Sequence, residues 1–269
     1  ATLSIFVNTP RSPMKITSWN VNSLKIRLDQ VLEWMEANRP DVLGLQETKL
    51  KDENFPADAI RAAGYQAAFS GQPTYNGVAL LSKTPAEDLR TAIPDFDDPH
   101  KRTIAGTFGG VRLINLYVVN GKAVGDEKYQ WKLTWLDAVT RWVEAELQQH
   151  DELVVIGDFN IAPDDRDVHD PEEWHEKILC STPEREALKR MLDLGLTDSY
   201  RLFEQPERVY SWYDYRQLAF RRKRGLRIDL ALVSDALKDK VTASTIDLEP
   251  RALERPSDHA PVTVELERS

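Results

Sequence analysis

With 269 residues, 41% of them hydrophobic, the chain can bury a sizeable core. No stretch approaches the roughly 20 apolar residues of a membrane span, and the composition excludes bulk disorder. A formal charge of −9 argues against a simple polyanion binder, whose phosphate contacts call for a basic surface, and the single Cys180 excludes an internal disulfide.

Residues 1–13 carry a short apolar run without a basic leader or a small-residue cleavage site, and they read as an extension. Residues 14–21 form a strand. Leu24, Leu28, Val31, Leu32 and Met35 then recur at helical spacing, and Pro40 closes that helix. The apolar run 41–46 is a strand ending in Glu47-Thr48-Lys49. A short helix at 57–63 leads to strands at 65–70 and 77–82, and Gly109-Gly110 joins a hairpin of 102–108 and 111–119. A long helix covers 126–150 with Trp131, Trp135, Leu136, Val139 and Val143. Residues 153–156 form a buried strand running into Gly157-Asp158-Phe159-Asn160. After a polar loop come a helix at 183–194 and strands at 209–213, 226–233, 241–248 and 261–267. There is no repeat and no linker, so 14–269 reads as one domain. Strands outnumber helices, and many connections are too short for a helix, which predicts a mixed-sheet α/β sandwich with helices over stacked sheets.

Five of these apolar segments end in a polar residue able to meet metal or phosphate: Asn20, Glu47, Asp158 with Asn160, Asp229, and Asp258-His259. A polar residue after a strand is ordinary turn chemistry, but strand-end loops converge on one rim, where distant residues form one site. Phosphodiester hydrolysis requires charge neutralisation at phosphate, an activated water and a stabilised leaving oxygen. Glu47 suits Mg²⁺, Asp158 suits proton abstraction, and Asp229 can hold His259 oriented and partly protonated against a phosphate oxygen. His169 and His175 match no zinc spacing, and His100 and His150 read as exposed. Cys180 reads as a packing residue. The run Arg216, Arg221, Arg222, Lys223, Arg224 and Arg227 contains no acid. It follows Trp212, Tyr213 and Tyr215, an aromatic and basic mixture suited to nucleic acid.

The segments MKITSWNVNSLKIRL, DVLGLQETKL, NGVALLSK, LINLYVVNG, VVIGDFNIAP, YSWYDYR, RGLRIDLALVS and RPSDHAPV closely resemble bacterial exonuclease III-type abasic-site endonucleases, within the endonuclease/exonuclease/phosphatase superfamily. The match runs in order over nearly the whole chain from Met14. The resemblance implies a four-layer α/β sandwich of two mixed sheets. It implies Mg²⁺ or Mn²⁺ bound by Glu47 with Asn20 nearby and Asp258 approaching, and Asp158 acting on the attacking water. It further implies phosphate contacts from Asn160, Tyr117 and His259, the last oriented by Asp229, and a pocket for a base-less sugar walled by Trp212. The implied substrate is duplex DNA with abasic sites, nicks or blocked 3′ ends, cut by a cytoplasmic, monomeric repair enzyme without membrane contact. An extruded abasic nucleotide loses no base stacking, which favours it energetically. Arg216 and Arg221, Arg222, Lys223 and Arg224 would grip the backbone without reading sequence. A lipid phosphoesterase and a catalytically silent relative are the alternatives. The aromatic and basic stretch argues against the first, and the complete acid, amide and histidine set argues against the second.

Overall fold

Apolar runs of strand length alternate with helices from Met14 onward, and a computed structural model, describing residues 12–268, gives their packing. The chain runs β1 (Met14–Asn20), α1 (Leu24–Asn38), β2 (Val42–Gln46), α2 (Ala57–Ala62), β3 (Gln66–Ser70), β4 (Val78–Ser82) and β5 (Glu87–Arg90). Next come β6 (Thr103–Phe108), β7 (Val111–Tyr117), α3 (Glu127–Leu147), β8 (Leu153–Asp158), α4 (Pro171–Trp174), α5 (Thr182–Leu192) and β9 (Leu196–Asp198). It ends with β10 (Trp212–Tyr213), β11 (Gly225–Leu226), β12 (Asp229–Ser234), α6 (Asp235–Lys238), β13 (Val241–Ile246) and β14 (Val262–Leu266).

Two six-stranded mixed sheets result, ordered β13-β14-β1-β2-β4-β3 and β5-β6-β7-β8-β12-β9, with β10 and β11 paired apart from them. Each large sheet has one parallel pair at its centre, β1 with β2 and β7 with β8, bridged by α1 and α3 respectively. Those crossovers cover the outer faces, so both parallel pairs are shielded from water. Trp34 and Met35 of α1 and Ile60 of α2 pack on Leu43, Leu45 and Ala79 of the first sheet. Trp135, Val139 and Val143 of α3, with Leu188 and Met191 of α5, pack on Ile114, Val155 and Leu232 of the second. Between the sheets, Ile16, Val42 and Leu80 meet Ile104, Leu113, Ile156 and Val233. Helix, sheet, sheet and helix make the four layers that the sequence implied.

Helix ends follow local chemistry. Arg39 closes α1 in the left-handed region, its N–H on the Met35 carbonyl, and Pro40 prevents continuation. Asp126 caps α3 by accepting from the Lys128 N–H. Ser181 and Glu184 form a reciprocal capping box at the start of α5, with Pro183 in its first turn.

Three expectations change. The strand expected over 209–213 shrinks to Trp212–Tyr213, and the one over 226–233 breaks into β11 and β12. The break arises because Ser211 Oγ accepts the N–H groups of Ile228 (3.0 Å) and Asp229 (2.9 Å), replacing a strand neighbour. Edge strands β5 and β9 were not expected, because EDLR is exposed throughout and LTD spans three residues, so neither carries an alternating pattern. The extension expected at 1–13 falls outside the described residues except for Ser12 and Pro13, and Ser12 accepts from Arg268 Nε.

Candidate active site

The strand order turns scattered motifs into one cluster. The carboxyl ends of β1, β2, β7 and β8 lie on one rim, where Asn20 pairs in register with Gln46 and Tyr117 with Asp158. Antiparallel β12 begins on the same rim, with Asp229 opposite Asp158, and His259 arrives just before β14. Gly157 lets β8 pass close to β7 near its end: a Cβ there would lie 2.0 Å from the Leu116 carbonyl oxygen, so no other residue fits. Glu47 and Asn160 both sit in the left-handed region, at φ 51° and 48°. Asn tolerates that backbone, whereas Glu47 stores strain there, a pattern concentrated at functional sites.

Hydrogen bonds link the set across both sheets. Fully buried Asn20 donates from its amide to Glu47 Oε1 (2.8 Å) and to Asp158 Oδ2 (2.9 Å). Its own oxygen accepts from the Asn22 N–H, so Asn20 orients the two carboxylates and does not turn an oxygen toward them. His259 Nδ1 lies 2.7 Å from Asp229 Oδ2, and its Nε2 lies 3.6 Å from Asp158 Oδ2. Ser257 fastens this end by donating to the Asn20 carbonyl (2.6 Å), and Trp19 donates to the carbonyl of His259 (3.2 Å).

Burial disfavours a charged His259, but Asp229, Asp158 and Asp258 outweigh it and hold the imidazole pKa well above its usual 6.5. Burial pushes Asp158 up to about 7, with Asp229 and Glu47 adding to the rise while His259 and Asn20 oppose it. Tyr117 lies beneath the Arg102 guanidinium, 4.9 Å from its ring centre. Burial, then Glu47 and Asp158, push its phenol well above 10, so it stays a proton donor.

Asn160 is fixed on every side. Its N–H donates to Asp158 Oδ1 (3.0 Å), its amide donates to the Val118 carbonyl (2.9 Å), and its oxygen accepts from Asn120 (3.2 Å). Behind it, fully buried Lys132 donates to the Asn160 carbonyl (2.6 Å) and pairs with buried Glu184. Asn120 and Lys132 went unrecognised in the sequence. A charged residue on the largely apolar buried face of α3, which it shares with Glu146, was the available signal for Lys132; Asn120 in YVVNG had none beyond its neighbourhood.

Glu47, Asp158 and His259 each offer an atom within 4.8 Å of the others, and among the described residues this is the acidic and histidine group compact enough to hold an ion. Its oxygen-rich donors suit a hard divalent cation. Lys49 lies 3.3 Å from the other Glu47 oxygen. The structure does not bring Asp258 into that group: its carboxylate receives Trp212 Nε1 (3.0 Å) and the Asn22 amide (3.2 Å). Trp212 is half-buried, bridged by its backbone to His259, and packed with Leu226 and Ile228.

The basic run does not act as one unit. Arg216, Arg221, Arg222 and Lys223 are exposed, whereas Arg224 donates to Glu173 (2.9 Å). Arg227, 1% exposed, is a core residue paired with Asp167 and Asp198, because the fold supplies acids that the local sequence lacks. His150, expected to be exposed, is half-buried 3.7 Å from Glu146. Cys180 is buried, and burial pushes its thiol up to about 12, as suits a packing residue.

Residues 17–259 match the Endonuclease/Exonuclease/phosphatase family, and the chain belongs to that family. It is 37% identical over 265 residues to exodeoxyribonuclease III of Haemophilus influenzae, spanning 94% of this chain and 99% of that protein. Among solved structures, the NExo protein of Neisseria is similar with a TM-score of 0.93 and 51% identity, over 95% of this chain and 100% of its own. NExo is described both as a 3′ phosphatase bound to product DNA hairpin and as a 3′-5′ exonuclease. An AP endonuclease from Archaeoglobus fulgidus follows at TM-score 0.91 and 34% identity, with the same coverage.

Proposed function

We propose that residues 14–269 act as one catalytic domain, a divalent-metal-dependent DNA repair phosphodiesterase of the exonuclease III type. It hydrolyses DNA 5′ to abasic sites and removes phosphate or nucleotide from 3′ ends, working as a cytoplasmic monomer on duplex DNA. The observation that carries this reading is the continuous chain Asp229–His259–Asp158–Asn20–Glu47, which joins an oriented imidazole, a buried carboxylate and an oxygen ligand on one rim. Among the described residues no helix is long and apolar enough to cross a membrane.

Glu47 would hold Mg²⁺ or Mn²⁺, with Asp158 and His259 bounding the same space; the bound ion supplies charge neutralisation at the phosphate and acidifies nearby water. Asp158 takes the proton of the attacking water, a role suited to a carboxyl raised to about 7. His259, kept charged by Asp229, donates through Nε2 to a non-bridging phosphate oxygen. Asn160 and Tyr117 offer further donors to the phosphate, and Trp212 walls the place of the sugar. Exposed Arg216, Arg221, Arg222 and Lys223 attract the backbone without sequence preference, and Arg224 contributes beside its Glu173 partner.

The test is a duplex panel carrying an internal tetrahydrofuran abasic analogue, a 3′ phosphate or a recessed 3′ end, each assayed with Mg²⁺ and with EDTA. Metal-dependent cleavage is expected, and failure on all three substrates overturns the proposal.

A further inference from the structure

Next to the reaction centre lies a cavity of about 220 Å³ that shares Trp212, Arg216 and Arg224 with the roles above, while its His169, Glu173 and Trp174 have none. Its walls include His169, Glu173, Trp174, Trp212, Arg216 and Arg224. Trp212 ties it to the centre, since the Trp212 indole donates to Asp258 and its backbone bridges to His259. Asn160, Glu47 and His259 do not line it, so it stands one step beyond the phosphate.

Three features define what it can hold. Its volume is below the roughly 300–1,000 Å³ typical of drug-sized ligands, leaving room for a single small ring system. Its charges cancel: Arg224 pairs with Glu173 at 2.9 Å, and Arg216 Nε lies 3.7 Å from Asp214. Inside the cavity a phosphate would meet no net positive charge, while the solvent-exposed parts of Arg216 and Arg224 stay open to the DNA backbone. The indoles of Trp174 and Trp212 stand edge to face, 6.4 Å apart at 87°, and offer aromatic surface. His169, its side chain 8% exposed, is fixed between the Gly225 carbonyl (3.2 Å) and Arg224 Nε (3.3 Å). Aromatic walls with balanced donors and acceptors suit a neutral heterocycle whose edge carries both.

We propose that this cavity is the subsite for the nucleobase of a 3′-terminal nucleotide. This rests on the proposed function, and it adds a reason why an intact nucleotide is a substrate alongside a base-less one. With the base seated there, the sugar lies by Trp212 and the phosphate by His259. Water then adds to phosphorus, the bond from phosphorus to the preceding O3′ breaks, and that oxygen takes a proton. The terminal residue leaves as its 5′ monophosphate.

The experiment compares three ends on one duplex: a normal 3′ nucleotide, a 3′ tetrahydrofuran nucleotide and a 3′ phosphate. Trp174→Ala and His169→Ala are measured beside the unmodified protein and Trp174→Phe. For each alanine variant, kcat/KM for excision of the normal nucleotide falls about tenfold, inside the range that one base–aromatic stack contributes. Excision of the tetrahydrofuran nucleotide and release of 3′ phosphate stay within twofold, which also shows that the variants fold. Trp174→Phe restores most of the loss. Equal losses on all three ends, or no loss on the normal nucleotide, overturn the subsite while leaving the proposed function standing. An unmodified protein inactive on all three ends overturns both.

Discussion

Asp158 is the residue on which the chemistry and the stability of this protein meet. Its carboxyl is raised from 3.8 to about 7, chiefly by burial. Between those values the folded protein binds a proton that the unfolded chain releases, so metal-free stability falls as pH rises through this window. His259 acts in the same direction: its raised pKa gives stability that is complete below 6.5 and is lost as pH passes the folded value. Asp158→Asn removes the first loss, while Asp229 still holds His259. The melting temperature of the metal-free variant is therefore expected to fall less between pH 5 and pH 8 than that of the unmodified protein, although its amide offers one acceptor where the carboxylate offers two to Asn20 and Asn160. Its cleavage rate should fall about 10²- to 10⁴-fold, the usual contribution of a general base. Calorimetry at the two pH values, with a single-turnover assay, checks both halves; an equal fall in melting temperature for the two proteins would refute the burial argument.

At the level of elements, strand ends set the site and helices brace it from behind. Near its end β8 runs so close to Leu116 of β7 that Gly157→Ala must displace backbone. A loss of about 3 kcal/mol or more is expected, the upper part of the overpacking range, readable as a shifted urea midpoint. Lys132 of α3 and Glu184 of α5 form a buried pair whose cation also supports Asn160. Lys132→Met strands the Glu184 carboxylate and should cost about 3–5 kcal/mol. The same change frees the Asn160 carbonyl, so kcat should fall in the surviving folded protein with KM little altered. A kcat unchanged at a temperature where the variant is folded would limit Lys132 to a structural role.

Across the whole molecule, the reaction centre exists only where the two sheets meet: Asn20 and Glu47 come from one sheet, Tyr117, Asp158 and Asp229 from the other. An ion bound between them therefore stabilises the folded state alone. Mg²⁺ at a hundred times its dissociation constant should add about 2.7 kcal/mol, and EDTA should reverse the gain in melting temperature. Glu47→Gln should abolish most of that shift, and a shift that persists in it would place the ion elsewhere.

The sequence by itself determined the central strands, the helices α1, α2, α3 and α5 and their order, because each long apolar run is periodic or bounded by caps such as Asp126, Ser181 and Pro40, whereas the four-residue helices α4 and α6 carry no such pattern. It also marked Glu47, Asp158, Asn160, Asp229 and His259, since polar residues closing apolar strands are visible in one dimension. Tyr117 and Trp212 were legible only through the motifs around them. Tertiary structure alone decided the rest. It made Arg227 a core ion-pair member and not a surface cation, turned Asn20 into a bridge between carboxylates, and enlisted Lys132 behind Asn160. The reason is that a charged side chain's role depends on which partner and how much water the fold gives it, and those partners lie up to 138 positions away in the chain.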